Sequence, residues 1–161
     1  MMGFIDRCND FIVKRAITLT ANKMKQLDLR DYVKDAEEVA NNIYVEFAGA
    51  RRERFFAFHI DLEGRIIERQ VVSVGTIDSA PAHIREIART AILNDTSGII
   101  LAHTHIAHDS DPSPGDIKAT EQIMAALGTL NIFVFDHIIV SKSGYYSFRE
   151  EGNLFDKEKE E

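Results

Sequence analysis

The amino-acid sequence predicts an α/β fold, in which a mixed β-sheet is flanked by helices and preceded by extra N-terminal helices. Short runs rich in aromatic and β-branched residues, typical of strands, alternate with segments whose apolar residues recur at helical spacing. After residue 50 these segments follow the order β-β-α-β-α-β-β, which is typical of a sheet covered by helices. A chain of 161 residues with 45% hydrophobic content is long enough for one well-filled core.

The N-terminal extension, residues 1–49, carries two predicted helices. Apolar residues between Phe4 and about Ala21 recur at near-helical spacing and predict an amphipathic helix. A second helix is predicted to start near Asp31 and to end at Gly49. We expect this extension either to pack on the core or to form a homodimer contact, and general packing rules favour the first.

The first half of the predicted sheet is a hairpin. A strand from Glu53 to Asp61 leads into a turn at Leu62–Arg65, where Gly64 supplies the unusual dihedral angle, and Ile66 to Val74 returns as the second strand. The next helix opens at Ser79-Ala80-Pro81, with Ser79 or Asp78 as its cap. Its predicted apolar face consists of Ile84, Ile87, Ala88, Ala91 and Ile92.

The second half contains a buried strand, a helix and two further strands. The apolar run from Gly98 to His103 predicts the strand, and a helix is predicted from Pro114 to about Thr129. Strands from Asn131 to Val140 and from Tyr145 to Phe148 complete the domain, residues 50–150. The charged tail, residues 151–161, is expected to fray. The apolar side of the helix predicted from Pro114 to about Thr129 consists of Ile117, Thr120, Met124 and Leu127.

Composition restricts the function classes. The net charge of −7 disfavours nucleic acid as a partner, because non-specific binding to phosphates needs clustered basic residues. Cys8 is the single cysteine, so an intrachain disulfide is excluded, which suits a reducing compartment. The longest early apolar run, Phe11–Val13, is far too short for a signal-peptide core or a membrane span. We therefore expect a cytoplasmic protein without a membrane partner.

Two histidines follow the buried strand. His103 and His105 leave the strand end on one face, because strand side chains alternate between faces. Asp116 follows in the first turn of the next helix. Two imidazoles and one carboxylate are the ligand set of a catalytic zinc, whose fourth tetrahedral position is left to water. Non-haem iron uses similar ligands but normally has more open positions, so Zn²⁺ is the predicted cofactor.

Ser113 and Asp116 also allow a purely structural interpretation. The run Ser113-Pro114-Gly115-Asp116 is a good helix start, with Ser at the cap, Pro in the first turn and Asp reaching back as in a capping box. Local sequence alone favours this capping interpretation. Capping and metal binding can coexist, because a carboxylate has two oxygens and the amides of a helix N-terminus favour anions.

The spacing of His103, His105, Ser113 and Asp116 resembles the JAMM (MPN+) metalloprotease motif, and flanking residues narrow the resemblance to its RadC-like branch. The resemblance covers roughly Glu53 to Phe148 and implies a JAB/MPN, cytidine-deaminase-like sheet. It departs at Thr104, where the family usually has Asn, and at Ile106-Ala107-His108, where it usually has Pro-Ser-Gly. The supporting runs are Val74-Gly75-Thr76, His83-Ile84-Arg85-Glu86, Pro112-Ser113 with Thr120, and Asp136-His137-Ile138-Ile139-Val140.

The resemblance implies roles for the site residues. His103, His105 and Asp116 would hold Zn²⁺, and Ser113 would donate a hydrogen bond to the developing oxyanion. A separate upstream glutamate acts as general base in such enzymes. It precedes the strand that ends before the hairpin turn, which selects Glu53, with Glu46 on the preceding helix as runner-up; a surface position is the ordinary alternative for either. The implied activity is hydrolysis of a peptide or isopeptide bond by a zinc-dependent metallopeptidase, with the substrate unidentified.

Two other functions stay open. A DNA repair or DNA-processing accessory protein, as the RadC name implies, would be favoured by a basic face. A non-catalytic scaffold would be favoured by loss of a ligand, and no ligand of the motif is missing. The loop residues His108, Asp109 and Asp111 could tune specificity or form a hydrogen bond to a ligand histidine, but a solvated loop is favoured. Asp136 and His137 are expected to be hydrogen-bonded structural groups in an apolar strand. The basic face would have to come from Arg51, Arg52, Arg54, Arg65 and Arg69.

Overall fold

The computed structural model describes residues 35–47, 50–75 and 80–152. The helix predicted between Phe4 and Ala21, the cap at Ser79 or Asp78 and most of the charged tail lie outside these residues. The division of the chain at residue 50 and the homodimer contact of the N-terminal extension stay predictions.

A mixed five-stranded sheet forms the centre of the fold. Its strands lie in the order β2-β1-β3-β4-β5. Strands β3 and β4 are parallel, and the other neighbouring pairs are antiparallel. The predicted class, a mixed α/β sheet flanked by helices, is confirmed. The strands are β1 Arg54–Ile60, β2 Ile66–Val74, β3 Gly98–Thr104, β4 Phe133–Val140 and β5 Tyr145–Ser147.

Within the described residues, three helices accompany the sheet: α1 Ala36–Phe47, α2 Ala80–Leu93 and α3 Pro114–Gly128. Helix α1 begins at Ala36 instead of near Asp31, because the Asp35 side chain accepts a hydrogen bond from the Glu38 amide at 2.9 Å and so caps the first turn. None of the described helices is long and apolar enough to cross a membrane.

The sheet separates two apolar cores. On one face, α1 packs Val39 and Ile43 against strand residues that include Phe56 and Phe58. On the other face, α2 and α3 pack against a second set of strand residues, among them Leu101. Because strand side chains alternate, neighbouring residues of β1 and β3 fill opposite cores. The favoured packing of an extra helical layer on the sheet is confirmed for α1.

The apolar face of α2 matches the predicted one except at Ile92, whereas that of α3 is displaced by about one residue around the helix. Ile92 is 61% exposed and Ile117 is 37% exposed, so neither is a core residue. The sequence pattern selected Ile117 because it is apolar, whereas polar Asp116 occupies the adjacent position that faces the sheet. Neighbouring helical positions differ by about 100° in direction. The buried residues of α3 are Asp116, Ala119, Thr120, Ile123 and Leu127.

Two of the three isoleucines of α2, Ile87 and Ile92, provide a matched test of this orientation. Ile87 is fully buried, so Ile87→Ala should lower the free energy of unfolding by about 2–5 kcal/mol through lost burial and the cavity left behind. Ile92→Ala changes the same side chain at an exposed position of the same helix and should change that free energy by less than about 0.5 kcal/mol. Urea denaturation of both variants measures the difference, and equal losses would contradict the described face of α2.

Candidate metal centre

The two motif histidines lie at the C-terminal end of β3. His103 pairs with Phe55 across the sheet, and its side chain lies on the face covered by α3. The strand ends at Thr104, and the His105 amide donates a 2.8 Å hydrogen bond to the Val140 carbonyl, which continues the pairing with β4 by one residue. His103 and His105 are both buried, at 1% and 8% exposure. Strand alternation therefore presents both imidazoles to the start of α3.

Asp116 reaches the histidines from the first turn of α3, where it also forms a capping box with Ser113. The Ser113 hydroxyl accepts a hydrogen bond from the Asp116 amide at 3.2 Å. Asp116 Oδ2 in turn accepts hydrogen bonds from the Ser113 amide at 2.8 Å and from its hydroxyl at 2.6 Å. The capping role predicted for this pair is therefore present, and it engages only one of the two carboxylate oxygens with Ser113.

His103, His105 and Asp116 form a buried cluster whose ligand atoms all lie within 4.8 Å of one another. His103 Nε2 is 3.2 Å from Asp116 Oδ1, and His105 Nε2 is 3.3 Å from Asp116 Oδ2. Ligands of a tetrahedral zinc with bonds of about 2.1 Å are separated by about 3.4 Å. His103 Nε2 makes no hydrogen bond despite its burial, because its approach to Oδ1 lacks hydrogen-bond geometry. An unsatisfied buried nitrogen beside an open carboxylate oxygen fits a metal ligand set.

The electrostatics of the cluster also suit a cation. Burial would raise the pKa of Asp116, but the close approach of His103 and His105 and the hydrogen bond from Ser113 outweigh burial and hold that pKa far below its usual range. Burial lowers the pKa of His103, with partial compensation by Asp116. The hydrogen bond to Asp116 raises the pKa of His105. The lowered pKa values of Asp116 and His103 favour the deprotonated forms that metals bind, whereas the raised pKa of His105 favours a protonated ring, whose proton a metal would have to displace.

Each histidine is held through its second ring nitrogen. His105 Nδ1 donates to the Asp109 carbonyl at 2.7 Å, so the motif loop supports a candidate ligand through its backbone, which is the less favoured of the two roles considered for Asp109. His103 Nδ1 lies 2.8 Å from His137 Nε2, and His137 Nδ1 lies 2.6 Å from the Thr120 hydroxyl. The predicted structural role of His137 was therefore incomplete, because this residue contacts a candidate ligand. The sequence feature that could have indicated this contact is the polar pair Asp136-His137 inside the otherwise apolar strand β4.

Glu53 lies beside the same cluster. It immediately precedes β1, and the antiparallel register that pairs Phe55 with His103 places Glu53 two residues further, opposite His105 and on the same face. Its charge raises the pKa of both His103 and His105, in each case as the smallest of several influences. Glu46 belongs to α1, the helix on the opposite face of the sheet, and its side chain lies outside the described part of the chain. The register and the influence on both histidines support Glu53 as an acidic neighbour of the cluster, and the choice of Glu53 over Glu46 stays a prediction.

Two backbone contacts position Glu53. Its carbonyl accepts a 2.8 Å hydrogen bond from the Gly75 amide at the end of the hairpin. The next amide, that of Arg54, donates to the Thr104 hydroxyl at 2.9 Å instead of to a strand carbonyl. Thr104, which lies between the two motif histidines in the sequence, thus holds the chain beside Glu53 through its side-chain hydroxyl.

Comparison with known protein families gives a direct match. A sequence profile described as the RadC-like JAB domain matches residues 33–153, which include every helix and strand described above. The match begins before α1, whereas the resemblance noted from motifs began near Glu53. The centre at the end of β3 therefore lies well inside the matched residues.

Individual relatives agree with this match. A UPF0758 protein of Streptococcus agalactiae is 33% identical over 129 residues, which are 80% of this chain and 57% of the relative. A UPF0758 protein of Streptococcus equi subsp. zooepidemicus is 36% identical over 125 residues, covering 78% of this chain and 56% of the relative. A UPF0758 protein of Pelodictyon phaeoclathratiforme is 29% identical over 182 residues, covering 95% of this chain and 82% of the relative. The chain thus spans little more than half of the streptococcal proteins.

The sheet order, the position of the histidines and the extent of the match lead to one assignment. The chain belongs to the RadC-like JAB domain family.

Proposed function

We propose that this chain is a zinc-dependent hydrolase of the JAMM type, a metallopeptidase that cleaves a peptide or isopeptide bond. The observation that carries the proposal is the buried His103–His105–Asp116 cluster, in which His103 Nε2 lacks a hydrogen bond and Asp116 Oδ1 is left open by the capping box. Glu53 supplies a carboxylate on the same face without belonging to the cluster, as a general base requires.

His103, His105 and Asp116 would hold a zinc ion, which would supply the Lewis acidity that acidifies water and polarises a carbonyl group. Glu53 accepts a proton from the attacking water and delivers it to the leaving amine. Ser113 donates a hydrogen bond to the oxyanion of the tetrahedral intermediate. The single hydroxyl proton of Ser113 is directed at Asp116 Oδ2, so this role requires the hydroxyl to turn from Asp116 toward the oxyanion.

The ligand assignment predicts the effect of removing one imidazole. His105→Ala leaves two of the three ligands, so the zinc content of the purified full chain should fall to a small fraction of that in wild type. The matched control is His108→Ala, which removes an exposed histidine from the same loop and should leave the zinc content unchanged. Elemental analysis of the three proteins is the measurement, and an unchanged zinc content in His105→Ala would refute the site.

Glu53→Gln separates catalysis from metal binding, because it keeps the size of the side chain and removes the proton acceptor. Zinc content and melting temperature should stay near wild type, while hydrolysis of a susceptible substrate should fall by about 10²–10⁴-fold. Glu121→Gln, an exposed glutamate of α3, is the matched control and should retain full turnover.

The two possible failures of this prediction have different meanings. If Glu53→Gln keeps full turnover, Glu53 is a surface residue and Glu46 becomes the candidate base. If it loses zinc in parallel with activity, Glu53 supports the metal ligands instead. A wild-type protein that binds zinc but cleaves none of a broad set of peptide and isopeptide substrates would favour the non-catalytic scaffold.

The acidic charge predicts weak binding to DNA. Two arginines of the basic face considered above are engaged elsewhere: Arg65 pairs with Asp61 and Glu63 at 2.8 and 2.6 Å, and Arg69 stacks 4.8 Å from the centroid of the Phe56 ring. Binding to a fluorescent duplex should therefore be weak in low salt and lost at physiological ionic strength, as measured by anisotropy. Tight binding at physiological ionic strength would instead support the DNA-processing function.

A further inference from the structure

Four polar groups form a continuous buried path behind the metal centre, outside the proposed ligand set. His103 Nδ1 lies 2.8 Å from His137 Nε2, and His137 Nδ1 lies 2.6 Å from Thr120 Oγ1. Thr120 Oγ1 donates to the backbone carbonyl of Asp116 at 2.6 Å. The three residues are buried, since none of His103, His137 and Thr120 is more than 1% exposed to solvent. The path therefore begins at one proposed ligand and ends at the backbone of another.

The chemistry of the Asp116 carbonyl sets the direction of every hydrogen bond in this path. A carbonyl can only accept, so the single hydroxyl proton of Thr120 is used there. Thr120 Oγ1 must then accept from His137, which places the proton of the neutral His137 ring on Nδ1 and leaves Nε2 as an acceptor. His103 must consequently donate through Nδ1, which in a neutral imidazole leaves Nε2 without a proton. His137 is fully buried, and its two ring nitrogens contact His103 and the Thr120 hydroxyl, in agreement with a neutral ring.

The two ligand histidines reach the same tautomer by different means. His105 donates Nδ1–H directly to the Asp109 carbonyl at 2.7 Å. His103 has no such direct carbonyl contact among the described hydrogen bonds and depends on two intervening side chains. The His137 ring is itself fixed by neighbours, since it stacks on Phe148 with centroids 5.2 Å apart and meets the edge of Phe55 at 5.6 Å. The imidazole of His137 is thus held in place as well as oriented.

We infer that His137 and Thr120 are positioning residues that fix His103 in the Nδ1–H tautomer, so that its Nε2 lone pair faces the metal site before any metal arrives. The inference rests on the proposed function, because a fixed tautomer of His103 aids metal binding only if His103 is a zinc ligand. The tautomer itself can be measured in the metal-free protein. Hydrogen-bond partners of this kind orient ligand histidines and typically contribute about 10–100-fold to metal affinity.

Thr120 offers a conservative pair of variants for the test. Thr120→Val keeps the shape of the side chain and removes the hydroxyl, so His103 should lose its fixed tautomer and zinc affinity should fall by about 10–100-fold. Thr120→Ser keeps the hydroxyl and should restore most of that affinity. Competition with a chelating dye gives the zinc affinity of each full-length protein, and melting temperatures in excess chelator report any purely structural effect.

Nitrogen-15 NMR of the histidine rings in the metal-free wild type tests the inference without any variant. Protonated Nδ1 and unprotonated Nε2 are expected for His103, as for His105, whose direct carbonyl contact makes it the internal control. In Thr120→Val the His105 signals should stay unchanged while those of His103 shift toward mixed tautomers.

A proton on Nε2 of His103 in the wild type would overturn the inference. So would wild-type zinc affinity in Thr120→Val together with a lower melting temperature, because this combination identifies a purely structural hydroxyl. Failure of the wild type to bind zinc would instead refute the proposed function, and the tautomer measured in the metal-free protein would still be decided.

Discussion

The position of Asp116, between the end of β3 and the first turn of α3, is the constraint on which the rest of the centre depends. Burying an ionised carboxylate is unfavourable unless its oxygens are hydrogen-bonded or paired. Here Ser113 satisfies Oδ2 and the backbone amide, while Thr120 satisfies the carbonyl. Only Oδ1 is left to face His103. A single residue therefore joins the helix cap, the histidines of the strand and the hydrogen-bonded path behind them.

The sheet keeps these groups in register. Packing on both faces specifies the pairing of β1, β3 and β4, because a slip by one residue would move every apolar side chain to the wrong core. The same alternation that places Leu101 in the core places His103 one step further along the same face. The parallel pairing of Leu101 with His137 brings β4 to the back of the centre. The relative positions of the site residues thus depend on core packing that lies outside the site itself.

The sequence allowed correct prediction of those features that depend on local periodicity. A period of two placed His103 and His105 on one face, and the residue order Ser113-Pro114-Gly115-Asp116 predicted the helix start that the structure has. The contact between His103 and His137 depends on the register of two strands separated by a whole helix, which no local pattern reports. The helix faces were misjudged where a polar residue, Asp116 in α3, occupies a core-facing position.

The difference from the family at Thr104 has a consequence for how this loop can vary. Position 104 must offer a hydrogen-bond acceptor on a short side chain, because the Arg54 amide next to Glu53 donates to it. Threonine and asparagine both meet this requirement, through a hydroxyl and a side-chain carbonyl. Exchange between them preserves the support of the chain at Glu53. An apolar side chain at position 104 would instead remove the hydrogen bond that holds the chain next to Glu53, so the position tolerates a change of residue type only while an acceptor is retained.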